Sequence, residues 1–89
     1  MVIIFHMKKV EWLPKALKQL AVFPVADRIR IADSAKKLSN FPNVSSDIKK
    51  LKGRPEYRLR VGRYRVIFTD ELTIIEIQEV KKRDEHTYR

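Results

Sequence analysis

Three arginines, Arg58, Arg60 and Arg65, stand on the two arms of one short segment, Tyr57-Arg58-Leu59-Arg60-Val61-Gly62-Arg63-Tyr64-Arg65-Val66-Ile67-Phe68. The segment reads as a β-hairpin around Gly62-Arg63, a Gly-X pair suited to a two-residue type II′ loop. Counting outward pairs Val61 with Tyr64, Arg60 with Arg65 and Leu59 with Val66. Side chains alternate faces along a strand. One face then carries Tyr57, Leu59, Val61, Tyr64, Val66 and Phe68, a core face, and the other carries the three arginines. Like charges directly opposite each other are destabilising. At ~4 Å two of them repel by about 1 kcal/mol in bulk water and more at lower dielectric. Such a cluster implies an anionic ligand.

The tail Lys81-Lys82-Arg83-Asp84-Glu85-His86-Thr87-Tyr88-Arg89 leaves the last strand beside this hairpin. It brings a basic group, an imidazole and a phenol within a few residues. These are the parts of a metal-free ribonuclease. A base takes the proton from a ribose 2′-OH, cations stabilise the phosphorane and an acid protonates the leaving 5′-oxygen. Arginine suits the middle role, because its planar fork binds phosphate bidentately and stays charged. His86 or Tyr88 could move the protons. A metal route is not indicated: His6 and His86 are the only histidines, cysteine is absent and no HExxH or EF-hand pattern occurs. With only Gly53 and Gly62, a phosphate-cradling glycine loop is not expected either, and no cofactor is implied.

The rest of the chain supports an anionic partner. Twenty Lys and Arg against 11 Asp and Glu leave a formal charge of +9, pointing to nucleic acid, an anionic membrane surface or an acidic protein. Part of the excess, Lys49, Lys50, Lys52, Arg54, Arg63, Lys81 and Lys82, clusters around the arginine hairpin and extends the expected RNA-binding surface. Eighty-nine residues make one domain, over 1–89, with a thin core. The absence of cysteine fits a reducing compartment, so a cytoplasmic location is expected. No apolar run approaches the ~18 residues of a membrane span. Met1-Val2-Ile3-Ile4-Phe5 is short and lacks a basic leader, so it reads as strand rather than signal peptide.

The elements that must position these groups follow from periodicity. Residues 2–7 read as a first strand. A helix opens near Trp12-Leu13 with Pro14 in its first turn, and Leu13, Ala16, Leu17 and Leu20 form its apolar stripe. Phe23-Pro24 breaks it. A second helix runs from about Pro24 to Leu38, with Val25, Ile29, Ala32, Ala35 and Leu38 inward and Arg28, Lys36 and Lys37 in water. Asn40-Phe41-Pro42-Asn43 ends it. Residues 47–52 form a short turn or edge strand. Strands follow at 56–61, 64–69 and 72–80, the last of them central. If Asp70-Glu71 is a two-residue turn, Arg65 faces Glu76. Trp12, Tyr57 and Tyr64 are expected in the core. The expected fold is α+β, β-α-α-β-β-β: a helical hairpin on one face of a mostly antiparallel sheet whose other face carries the arginines.

Leu51-Lys52-Gly53-Arg54-Pro55, the hairpin from Tyr57 to Phe68, and the ending from Lys82-Arg83 to Tyr88-Arg89 together resemble the RelE branch of the RelE/ParE toxin superfamily. The resemblance implies the toxin of a type II toxin–antitoxin pair. It would enter the ribosomal A site, contact ribosomal RNA and cut mRNA by attack of the 2′-OH on the adjacent phosphate. An acidic, RelB-like antitoxin would wrap and block it, and operator DNA would be bound only through that antitoxin. The resemblance gives Arg65 and Arg83 to the scissile phosphate and Tyr88 to the terminal tyrosine, with His86 sharing or replacing the base. Arg58 and Arg60 stand as catalytic candidates where the best-known member has lysines, so charge stabilisation and RNA contact carry over more safely than proton transfer. Two other functions fit a basic domain of this shape, a ParE-like gyrase inhibitor without nuclease chemistry and a non-catalytic RNA-binding module. Arg65, Arg83 and Tyr88 together favour the nuclease.

Overall fold

The computed structural model describes residues 7–83. The expected strand at 2–7 therefore lies, except for Met7, outside the described residues. The first strand described is β1, Lys9–Trp12, so Trp12, read as the opening of the helix, ends a strand instead. Helices α1 (Pro14–Ala21) and α2 (Val25–Lys36) follow, and a 3₁₀ turn at Lys37–Asn40 extends α2. Four more strands complete the sheet: β2 (Ile48–Lys50), β3 (Tyr57–Val61), β4 (Tyr64–Asp70) and β5 (Ile74–Lys82). Pro14 occupies the start of α1, where its missing N–H costs nothing.

The strand order is β1-β5-β4-β3-β2. The sheet is mixed, because β1 runs parallel to β5 while the other neighbours are antiparallel. The helical hairpin is the crossover that carries the chain from one sheet edge to the other. The undecided segment at 47–52 becomes the short edge strand β2. The centre of the sheet is β4, with β5 beside it.

The core lies between the helices and one sheet face. Leu59, Val66, Phe68, Ile75 and Ile77 meet Ile31, Ala35 and Leu38, all essentially inaccessible to water. The hairpin face read from alternation is therefore the core face. The face of α2 is not as read: Val25 and Ile29 are more than half exposed, and Ile31 takes the buried position. Asp27 and Arg28 are half-buried on that side, so Arg28 does not face water. Leu17 of α1 is also exposed, and Ala16 is its buried residue. Trp12 and Tyr57 pack against the core and Tyr64 lies within it.

The first hairpin has the expected register, Val61↔Tyr64, Arg60↔Arg65 and Leu59↔Val66. Gly62 has φ +57°, and Arg63 has none of the positive φ a type I′ turn would need, which fits type II′. The second turn is longer than expected. It contains Glu71, Leu72 and Thr73, closed by Glu71 N–H donating to Ile74 O at 2.8 Å, with Leu72 in the left-handed region at φ 71°. A register shift follows between Ile67 and Phe68. Together they move Glu76 opposite Thr69 and place Lys81 opposite Arg65, so the expected Arg65–Glu76 pairing does not form. Among the described residues, no helix is long and apolar enough to cross a membrane.

Candidate active site

The face of the sheet away from the helices is a small grid of charge. One cross-strand row runs Arg60–Arg65–Lys81, with Asp47 beside Arg60 through the Arg60 N–H to Asp47 O bond of 2.9 Å. The next row runs Lys49–Arg58–Ile67–Glu79. Three cations stand side by side on adjacent strands, which the sheet tolerates only at an electrostatic cost. Leu51, Arg54, Arg58, Arg65, Ile67, Glu79 and Lys81 line a cleft of about 130 Å³ on this face. The face is not simply open. The segment after β2 turns back on itself through Leu51 N–H to Glu56 O at 2.9 Å and lays Leu51 and Arg54 over it. As a result Arg58 is only 8% exposed and Ile67 is buried.

The bulge at Ile67/Phe68 sets which end of β5 reaches the cleft. Ile75 and Ile77 point to the core, and without the shift residues 79 and 81 would follow them. With it, Val80 is buried, while Glu79 and Lys81 line the cleft. The same alternation aims residue 83 toward the cleft side. Arg83 is half-buried, and its N–H donates to the Arg63 carbonyl at 2.6 Å, tying the end of β5 to the hairpin turn. Helix α1 holds this stretch at two points. Gln19 Oε1 accepts the Val80 N–H at 2.7 Å, taking the place of β1, whose pairing with β5 ends at Ile77. Lys15 Nζ lies 3.6 Å from Glu79 Oε1. Gln19→Ala should cost about 1 kcal/mol through the lost acceptor. It should also speed hydrogen exchange at the Val80 amide; an unchanged exchange rate would mean the bond does not persist in solution.

The carboxylates distribute unevenly. Asp47 Oδ1 is 3.5 Å from Arg58 Nη1, and its Oδ2 is 3.6 Å from Arg60 Nη1. Glu79 Oε1 is 3.4 Å from Lys81 Nζ. Arg54 pairs with Glu56 at 3.1 Å. Among the described residues Arg65 has no carboxylate within ion-pair distance, so the central guanidinium keeps its charge for a ligand. The remaining basic residues are scattered around this centre. Lys49 shares the arginine face opposite Arg58, whereas Lys50 stands opposite Tyr57 with its ammonium 5.6 Å from that ring. Lys52 and Arg63 are exposed on loops. Lys82 stands opposite Tyr64, on the helix side by alternation. His86 and Tyr88 lie outside the described residues.

Behind the hairpin, the Tyr64 hydroxyl donates to Asp27 Oδ2 at 2.6 Å, pinning β4 to α2 next to Arg65. This hydrogen bond raises the phenol above the usual tyrosine range; burial and the Asp27 charge add to it, while Arg63 and Arg30 oppose it. A raised tyrosine favours the folded state while it is protonated. The contribution is full below the unfolded value near 10 and is lost as pH rises through the folded one. The stability gap between wild type and Tyr64→Phe should thus shrink above about pH 10. Urea titrations on both sides of that pH measure it, and a constant gap would refute the assignment.

Asp47, Glu79, Gln19 and Asp27 are the residues that reading the sequence missed. Asp47 needed β2 as a strand, and Glu79 needed the bulge. The fold, two helices on a mixed five-stranded sheet, is shared with solved toxins. The archaeal RelE of the RelE–RelB complex from Pyrococcus horikoshii OT3 is 28% identical, with TM-score 0.73, covering 89% of this chain and 98% of that one. A chain of the RelB–RelE antitoxin–toxin complex from Methanococcus jannaschii is 31% identical, with TM-score 0.69, covering 80% and 87%. A chain of the chromosomal ParDE system from P. aeruginosa shares the fold at 15% identity, with TM-score 0.69, covering 90% and 100%. No curated protein sequence matches the chain. The model of the ParE toxin of type II toxin–antitoxin systems, parDE, matches residues 10–87. The chain belongs to the RelE/ParE superfamily and is a toxin of a type II toxin–antitoxin system.

Proposed function

We propose that this toxin is a ribosome-dependent, metal-independent mRNA endonuclease acting in the cytoplasm. The observation that carries the reading is Arg65, unpaired among the described residues and flanked cross-strand by Arg60 and Lys81 at the cleft. The 2′-OH of one nucleotide attacks the adjacent phosphorus. The new O2′–P bond forms as the P–O5′ bond breaks, leaving a 2′,3′-cyclic phosphate. One of Tyr88 and His86 takes the 2′ proton, and the other donates a proton to the leaving O5′. Arg65, Arg83 and Lys81 stabilise the charge on the phosphorane. Arg58 and Arg60 add positive potential but transfer no proton, because an arginine stays protonated. Arg54, Lys49, Lys50, Lys52, Arg63 and Lys82 supply contacts to mRNA and ribosomal RNA.

The partner is a cognate antitoxin, RelB-like because the archaeal relatives are solved in complexes with RelB, and acidic to complement the basic toxin; operator DNA is reached only through it. Steering between a +9 toxin and an acidic antitoxin makes their association rate fall with salt. The match to the ParE model favours a second reading, gyrase inhibition without nuclease chemistry. Mapping mRNA 5′ ends after induction separates the two. Codon-phased cuts that disappear in Tyr88→Phe support the nuclease; intact mRNA with DNA damage supports gyrase.

A further inference from the structure

We propose that the Asp47 carboxylate occupies the position a substrate phosphodiester takes on Arg58 and Arg60, and that the phosphate displaces it. The proposal rests on the nuclease reading for the identity of the phosphate, and its geometry stands apart from that reading. Asp47 is held opposite Arg60 by the backbone bond that extends the β2–β3 ladder, so its side chain shares the arginine face. Its two oxygens each face a different guanidinium, at 3.5 and 3.6 Å. Two non-bridging phosphate oxygens would address the same two groups.

The two sides of this pair are not equally anchored. The Arg58 side chain is 10% exposed and the Asp47 side chain 53%. Arg58 Nη1 is buried and makes no hydrogen bond among the described residues, Asp47 included. The guanidinium is thus fixed and unsatisfied, while the carboxylate stands half in water and loses little on leaving. A phosphate replacing it would form charge-assisted hydrogen bonds that the carboxylate, at these distances, does not. Without ligand, Asp47 screens two cations that neighbour a third at Arg65.

The test is titration with inorganic phosphate, followed through the ¹⁵N guanidinium resonances of Arg58 and Arg60, in wild type, Asp47→Asn and Asp47→Ser. Circular dichroism identifies the folded variants. Phosphate should shift both arginines, with affinity roughly twofold to fivefold higher in the variants, the scale of one exposed charge pair. In wild type, which needs no substitution, the Asp47 carboxylate ¹³C resonance should move with the same titration. Equal affinity in wild type and a folded variant would overturn the proposal. So would a stationary Asp47 resonance while the arginines shift, or arginine resonances that phosphate leaves unmoved. Failure of the nuclease reading would appear separately, as intact mRNA on induction, and would leave the phosphate result standing.

Discussion

Arg65→Ala should abolish mRNA cleavage on the ribosome, lowering the single-turnover rate by about 10²-fold or more, while the protein stays folded. Loss of one preorganised electrostatic group at a developing oxyanion costs roughly 10²–10³ in rate. Arg65 is exposed, and surface substitutions usually shift stability by no more than about 0.5 kcal/mol. Here the sign should even be favourable, because removing the middle of Arg60–Arg65–Lys81 relieves repulsion on both sides. A structural role predicts the opposite combination, lower stability and intact cleavage per folded molecule. Cleavage assays on programmed ribosomes and urea denaturation of the same preparation decide between them. Wild-type cleavage by Arg65→Ala would remove the observation on which the nuclease reading stands.

Phe68→Ala should be the most damaging single truncation in the core. Phe68 is inaccessible, stacks on Tyr57 at 5.4 Å and meets Phe41 edge-on at 5.4 Å. Phe→Ala at such a site costs about 3–5 kcal/mol. Domains of this size have only ~5–15 kcal/mol in total. At ~4–8 °C per kcal/mol the melting temperature should fall by roughly 12–40 °C. Ile29→Ala is the contrasting measurement. Its side chain is 57% exposed, so its loss should change stability by less than about 0.5 kcal/mol. Ile31→Ala, two positions on and fully buried, should cost about 2–5 kcal/mol. Similar costs at Ile29 and Ile31 would mean that α2 sits on the sheet by a different face.

Ile29 also shows where reading the sequence failed. Val25, Ile29 and Ala32 continue an apolar period into Ala35 and Leu38, so the face seemed clear. The true face drops all three, Ala32 being exposed as well, and runs through Asp27, Arg28 and Ile31 to Ala35. A polar residue can sit on a core-facing stripe when it has a partner, and Asp27 has the Tyr64 hydroxyl. That partner is 37 positions away, so periodicity cannot see it. The second hairpin failed for a related reason. A two-residue turn fitted Asp70-Glu71, but the chain uses three residues and a bulge, and each slip reverses which side chains face the cleft.

What the amino-acid sequence determined alone was the arginine ladder. Gly62 permits the tight turn, alternation separates Tyr57, Leu59, Val61, Tyr64, Val66 and Phe68 from Arg58, Arg60 and Arg65, and both are local. The family was legible too, because its marks lie within the same short stretches. The tertiary structure alone decided what surrounds the ladder. It set Asp47 against Arg58 and Arg60, brought Lys81 and Glu79 to the cleft through the bulge, and left Arg65 without a carboxylate among the described residues. Those placements depend on strand registers and helix contacts between distant residues. Their geometry follows from where the whole chain buries its apolar face, which no short stretch of sequence encodes.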